Sequence, residues 1–135
     1  MAWGPYQDSH INQLEAIQCR AARFCMGDYK QKSSVTNMIK ELGWDSIETR
    51  RQKARLTMMF KIANDLVGIN KEEHLKPVGN SRTRKNNSSN FQPIYARLNT
   101  YKFSFFPRTI QEWNSLRDNI VSATTTDVFK EHLHK

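Results

Sequence analysis

The sequence predicts a mainly α protein, in which a small helical bundle is followed by a basic loop, a short extended or β arm and two short C-terminal helices. Three observations carry this expectation. Apolar residues recur at spacings of three and four through residues 1–69, the signature of amphipathic helices. The glycines stand singly, and Gly27, Gly43 and Gly68 each follow a periodic run, where a helix end favours a left-handed residue. Beyond residue 90 aromatic residues cluster around Pro93 and Pro107. The 135 residues are 38% hydrophobic and 10% aromatic, leaner than an average domain but too apolar for full disorder. The expected organisation is one fragmentary domain: residues 1–69 a three-helix segment, 70–90 a basic flexible loop, and 91–135 the aromatic arm with its helices.

The elements follow in order. Ile11, Leu14, Ile17, Ala21, Phe24 and Cys25 make one apolar helical face, with Asp8 or Ser9 available as N-cap and Gly27 as terminator. A shorter helix carries Val35, Met38, Ile39 and Leu42, capped by Ser33 or Ser34 and stopped at Gly43. The longest begins at Ile47, where Asp45 and Glu48 stand in capping-box spacing with Asp in place of Ser or Thr. Its run of Ala54, Leu56, Met58, Met59, Phe60, Ile62, Ala63, Leu66 and Val67 is apolar on more than one side, which marks the most buried element, and Gly68 closes it. Three helices with short connections make a small bundle. Residues 70–90 show no apolar periodicity and read as loop. Phe91 to Phe106 alternates loosely, and Pro93 argues against a central strand. These aromatics read as core more than as stacking platforms. Pro107 fits a first helical turn, followed by Ile110, Trp113 and Leu116. Arg108, near the positive end of that helix, calls for an acidic partner, and Glu112 stands one turn on. Thr124, Thr125 or Thr126 caps a last helix bearing Val128, Phe129 and Leu133.

Charge narrows the function classes. Lys plus Arg number 21 and Asp plus Glu 13, a net +8. Residues 1–45 are neutral, 46–69 carry +3, 70–102 carry +5 and 103–135 are again neutral. An excess confined to the middle points to an anionic partner. Cys19 and Cys25 are too few for a disulfide framework, and residues 1–8 lack a basic region followed by an apolar stretch. An intracellular setting, nucleus or cytoplasm, is therefore expected, with no membrane partner.

No catalytic constellation is visible. Histidines at 10, 74, 132 and 134 form no spaced metal-ligand set with the cysteines, no two aspartates are adjacent, and no glycine-rich phosphate loop occurs. Glu72-Glu73 lies in a polar segment and reads as solvated. The expectation is no catalytic residue, no metal and no cofactor, and no enzyme activity for this chain alone. Binding is better supported. Arg50, Arg51, Lys53 and Arg55 cluster on the long helix, and Arg82, Arg84 and Lys85 in the loop; cations that meet phosphates release counterions and bind without sequence preference. Arg97 and Lys102 alternate with Tyr95, Tyr101 and Phe103, the composition of a surface on which bases stack beside a neutralised backbone. Positions 50, 51, 53 and 55 do not share one helical face, so a merely solvated surface competes with this reading.

Several blocks carry a resemblance. Leu14-Glu15 through Arg20-Ala21-Ala22-Arg23-Phe24, Ser33-Ser34-Val35 with Leu42-Gly43-Trp44, Glu48-Thr49-Arg50-Arg51 through Phe60-Lys61-Ile62, and Ser104-Phe105-Phe106-Pro107-Arg108-Thr109-Ile110 with Trp113-Asn114-Ser115-Leu116 stand in one order across nearly the whole chain. Together they resemble the C-terminal, post-palm part of non-LTR (LINE-type, jockey-like) retrotransposon reverse transcriptases; the last block is the most specific. Cys19 departs from the pattern, which has Arg there. The resemblance implies a thumb or extension segment that helps to hold an RNA template and primer, with RNA or an RNA–DNA duplex as a weak, sequence-tolerant partner. In the full-length family protein the upstream polymerase palm is a further partner. The endonuclease and the palm with its Ala-Asp-Asp motif are not in this chain, so Met1 is expected to open a detached piece. An expressed transposon remnant, or a small protein-interaction module with no selected activity, are the alternatives.

Overall fold

A computed structural model describes residues 5–30, 32–79 and 89–134. The protein is mainly helical, with eight helices among the described residues: α1 Asp8–Met26, α2 Val35–Glu41, α3 Ile47–Ala63, α4 Lys71–His74, α5 Asn99–Lys102, α6 Phe105–Asn114, α7 Asp118–Val121 and α8 Thr126–His134. The chain forms two compact units, one ending at Gln52 and the other beginning at Lys53. The boundary thus falls inside α3.

In the first unit α1 packs on α2. Gly27 at φ 63° and Gly43 at φ 64° are left-handed, as expected of residues that close a helix. At each, paired reverse bonds satisfy terminal carbonyls: the Asp28 N–H donates to the Arg23 carbonyl, and the Trp44 N–H to the Ile39 carbonyl. Just past α1, the Asp28 carboxylate accepts from the Lys30 N–H at 3.0 Å. Hydrogen bonds from the Ser33 side chain and this N–H hold its pKa below the ordinary value.

Two helix starts, those of α1 and α3, differ from expectation. Asp8 and Ser9 lie inside α1, whose N-cap is Gln7 without a side-chain bond; Asp8 there still complements the positive helix end. Ser34 occupies the N-cap of α2, one of the two serines expected there, without a side-chain bond. At α3 Ser46, rather than Asp45, caps the helix, its Oγ accepting from the Thr49 N–H at 3.1 Å.

The buried face of α1 is also rotated from the expected one. Gln18 and Ala22 are buried, while Ile17 and Phe24 are 57% and 76% exposed. Each buried position lies one residue, about 100°, from its expected counterpart. The cause is polar: Gln18 Nε2 donates to the Asp45 carbonyl at 2.9 Å, and its Oε1 accepts from Arg50 Nη2 at 3.0 Å. An amide so satisfied is buried at little cost.

The second unit has one closed apolar core. Leu56, Met59, Phe60 and Ile62 of α3 meet Leu75, Ile110, Trp113, Val121 and Phe129. Phe129 stacks on Phe60 with centroids 4.5 Å apart and on Trp113 at 5.8 Å. Helix α3 ends at Ala63, short of Gly68, in a reverse-bonded turn with Asp65 at φ 55° as its left-handed residue. Asp is among the few side chains that tolerate that region, and Lys71 pairs with it.

Residues 70–79 correct the expected loop. Asn70 caps α4 by accepting from the Glu72 N–H, and the buried Leu75 anchors the segment in the core. The arm differs too. No strand occurs among the described residues, only an antiparallel bridge between Pro77 and Phe91, flanked by Val78 N–H to the Asn90 carbonyl and Gln92 N–H to the Lys76 carbonyl. Pro77 has no N–H, so a continued ladder would lose a rung there. Asn114 holds the arm to α6: its Oδ1 accepts from the Phe91 N–H at 3.0 Å, and its Nδ2 donates to the Phe91 carbonyl at 2.7 Å. The Trp113 indole N–H donates to the Ser89 carbonyl at 3.0 Å. At the C-terminal end Thr125 caps α8, its Oγ1 accepting from the Val128 N–H at 3.3 Å.

No described helix is long and apolar enough to cross a membrane.

Candidate nucleic-acid interface

The basic residues of the middle of the chain fall into three structural classes. The first is engaged inside the fold. Arg55, expected to face a phosphate, is buried, and its guanidinium grips Glu112 in two places: Nη2 to Oε1 at 2.7 Å and Nε to Oε2 at 3.3 Å. Its side chain is 11% exposed and that of Glu112 18%. The planar fork matches the carboxylate and gives the strong, bidentate form of the interaction. Arg108 joins the same carboxylate, Nε to Oε1 at 3.3 Å, the one-turn pairing expected from the sequence. Glu112 therefore ties α3 to α6 and offsets an arginine near the positive end of α6. Arg55 serves this clamp, and its cationic donors are directed to Glu112 rather than to an external anion.

The second class remains accessible, with Arg50 and Lys53 held by neighbours. Arg50 is exposed, with Nη2 on Gln18. Arg51 is half-buried. Lys53, also half-buried, donates to His134 Nδ1 at 2.9 Å. Arg50 and Arg51 belong to the first compact unit, Lys53 and Arg55 to the second. Arg82, Arg84 and Lys85 lie outside the described residues.

The third class is displayed with aromatic rings. Between the bridge and α6 the chain turns outward through Tyr95, Arg97, Leu98 and α5. Tyr95 is 99% exposed and Tyr101 52%, and Arg97 and Lys102 are exposed. Lys102 Nζ stands 5.8 Å from the Phe103 ring centroid, within cation–π range. The arm's aromatics thus separate by type. Phe91, Phe105 and Phe106 pack against the core, as expected for most of the set, whereas both tyrosines stay on the surface. The phenol oxygen accounts for the split, since it is content in water while the rest of the ring remains a flat apolar face.

No family model, curated protein or solved structure matches the chain. The arrangement is accordingly read from its own chemistry. Among the described residues no group of three or more His, Cys, Asp or Glu is placed to hold a metal ion, and Cys19 and Cys25 are free thiols. What the second unit displays, within residues 95–102, is two tyrosines and two cations next in the chain to the phenylalanines that pack on its core. Sequence reasoning missed the part played by Glu112 towards Arg55. Those residues are 57 positions apart, and no local pattern signals such a pair.

Proposed function

We propose that this chain is a non-catalytic nucleic-acid-binding segment, related to the post-palm part of a LINE-type reverse transcriptase, which contacts RNA or an RNA–DNA duplex weakly and without sequence preference. The observation that carries the reading is the exposure of Tyr95 and Tyr101 beside Arg97 and Lys102. Aromatic faces next to cations bind bases and backbone together, and bases of any sequence stack on them. The +5 excess of residues 70–102 adds the electrostatic attraction that such binding requires, and the block order described above supports the family reading.

Titration of labelled RNA–DNA duplex at several salt concentrations tests it. Wild type should bind with a steep salt dependence. Arg97→Gln with Lys102→Gln should flatten the slope by up to two ion contacts, about 0.9 each on a duplex. Replacing Arg82, Arg84 and Lys85 together should flatten it by up to three. Absence of binding at low salt, or unchanged slopes in both variants, would overturn the reading.

A second reading, a protein-interaction module, is favoured by Ile17 and Phe24, which expose an apolar strip on α1. It predicts binding to a protein partner that survives high salt and is lost in Ile17→Ser with Phe24→Ser.

A further inference from the structure

Within the second unit a cleft of about 370 Å³ opens between α4, the arm and the start of α6, and Glu73, His74, Lys76, Ile94, Tyr101 and Phe106 line it. Its size lies in the range of small-ligand sites. The floor is apolar, from Ile94 and Phe106, both half-buried and packed against the core. One wall is a preformed stack: the His74 and Phe106 rings lie 4.3 Å apart at 19°. The rim carries one carboxylate, one ammonium and the half-exposed Tyr101 ring.

The scaffold holds these groups in place. Leu75 is buried next to His74, and Asn70 caps α4 while its Nδ2 donates to Glu73 Oε1 at 3.2 Å. Lys76 sits on the bridge, its carbonyl accepting from the Gln92 N–H at 2.7 Å. Ser104 Oγ donates to the Tyr101 carbonyl at 2.7 Å, steadying the turn that presents the ring.

From this geometry we propose that the cleft receives one unpaired nucleobase of a bound strand, with preference at that single position for a base bearing an exocyclic amino group, while the rest of the strand is held without sequence preference. This rests on the nucleic-acid reading above and names a ligand for the Tyr101 end of that surface. A flat heteroaromatic ring stacks on the imidazole, which Phe106 backs from its other side, with Tyr101 at the rim, the way unstacked bases are held on aromatic side chains by single-strand-binding proteins. Glu73 accepts from an amino group, as carboxylates do from cytosine, and Lys76 supplies a cation for the adjoining phosphate. A paired base has its edge occupied and its faces covered by neighbours, so a duplex leaves the cleft empty. A tyrosine-containing peptide also presents a flat ring, but the net positive charge of residues 70–102 and the carboxylate on the rim fit a polyanion bearing amino groups better than a peptide.

The experiment compares short single-stranded oligo(A), oligo(U) and an RNA–DNA duplex of equal length at low salt, by fluorescence anisotropy on the intact chain. Oligo(A) should bind more tightly than oligo(U) or duplex. His74→Ala should weaken oligo(A) about fivefold to tenfold, the scale of one lost stacking partner, and leave the duplex unchanged. Glu73→Gln, a second surface change, should erase the preference for A over U. If all three probes bind equally and neither variant alters them, the cleft proposal falls while the basic surface stands. If wild type binds no probe, the reading beneath it falls as well. If an acidic tyrosine-containing peptide displaces oligo(A) more effectively than adenosine monophosphate does, the cleft takes a peptide and the proposal is overturned.

Discussion

The described residues up to Gln52 bury few apolar side chains, Ala22 and Met38 besides Pro5, while those from Lys53 on bury nine besides Pro107, including Phe60, Trp113 and Phe129. In the first unit the best-placed group is an amide. Gln18 is buried because Asp45 and Arg50 satisfy it, and Ile17 and Phe24 remain in solvent. In the second unit the core is ring upon ring, and its polar groups are clamps at the edge: Glu112 on two arginines and Asn114 on Phe91. A hydrogen bond contributes a net of about 1 kcal/mol, whereas a buried large side chain contributes about 1.5–3 kcal/mol. The two units should therefore respond very differently to single substitutions.

The largest effect should come from the aromatic core. Phe129 is fully buried and stacks on both Phe60 and Trp113. Phe129→Ala should cost about 3–5 kcal/mol, the range for removing a buried phenyl group from a core that refills incompletely. Denaturant unfolding followed by near-ultraviolet circular dichroism measures it. A loss below about 1 kcal/mol would show that the second unit does not depend on this stack, and the contrast with the first unit would disappear.

The Glu112 clamp sharpens the same contrast. Glu112→Gln keeps the shape but removes the charge that Arg55 and Arg108 share. Deleting one partner of a fully buried pair costs about 3–5 kcal/mol. Arg55 and Glu112 retain 11% and 18% exposure, so water screens part of that and about 1–3 kcal/mol is expected. Arg108→Gln leaves the bidentate Arg55 contact in place and should cost less. Equal losses for the two substitutions would show that Arg55 is not the principal partner.

These cases also show what the sequence makes legible. The Arg108–Glu112 pair is four residues apart and local rules find it. Gly27 and Gly43 are assigned, and the α8 cap is narrowed to Thr124, Thr125 or Thr126, because helix ends impose local chemistry. In sequence Arg55 looks like a phosphate ligand because its partner lies far along the chain, and a cluster of cations looks the same whether it is displayed or engaged. Helices α4, α5 and α7 have four residues each, too few for periodicity to register, so Leu75 was hidden in what read as loop. On α1 hydropathy selected Ile17 and Phe24, because it counts a glutamine as outward-facing and cannot see the carbonyl of Asp45 waiting for it. Of the candidate interface, the alternation of tyrosine with Arg97 and Lys102 was visible, but the division between buried phenylalanines and displayed tyrosines needed the fold.

The smallest effect separates the two materials most directly. Gln18→Ala removes both hydrogen bonds of the first unit's buried amide. Arg50 is exposed and regains water, while the Asp45 carbonyl, on a half-buried residue, regains it in part, so the expected loss is about 1 kcal/mol. Gln18→Leu restores the volume without the hydrogen bonds. If the amide holds α1 in its rotated setting, leucine should stabilise no better than alanine. The helix should then be free to turn its apolar strip inward, and Ile17 and Phe24 should lose exposure. Hydrogen exchange at the amides of α1 and of Glu48 to Arg50, together with solvent accessibility of a probe at position 24, follows both consequences. Full recovery of stability by leucine with Phe24 still exposed would mean that volume rather than hydrogen bonding sets the packing of α1, and that the two units are built on the same principle after all.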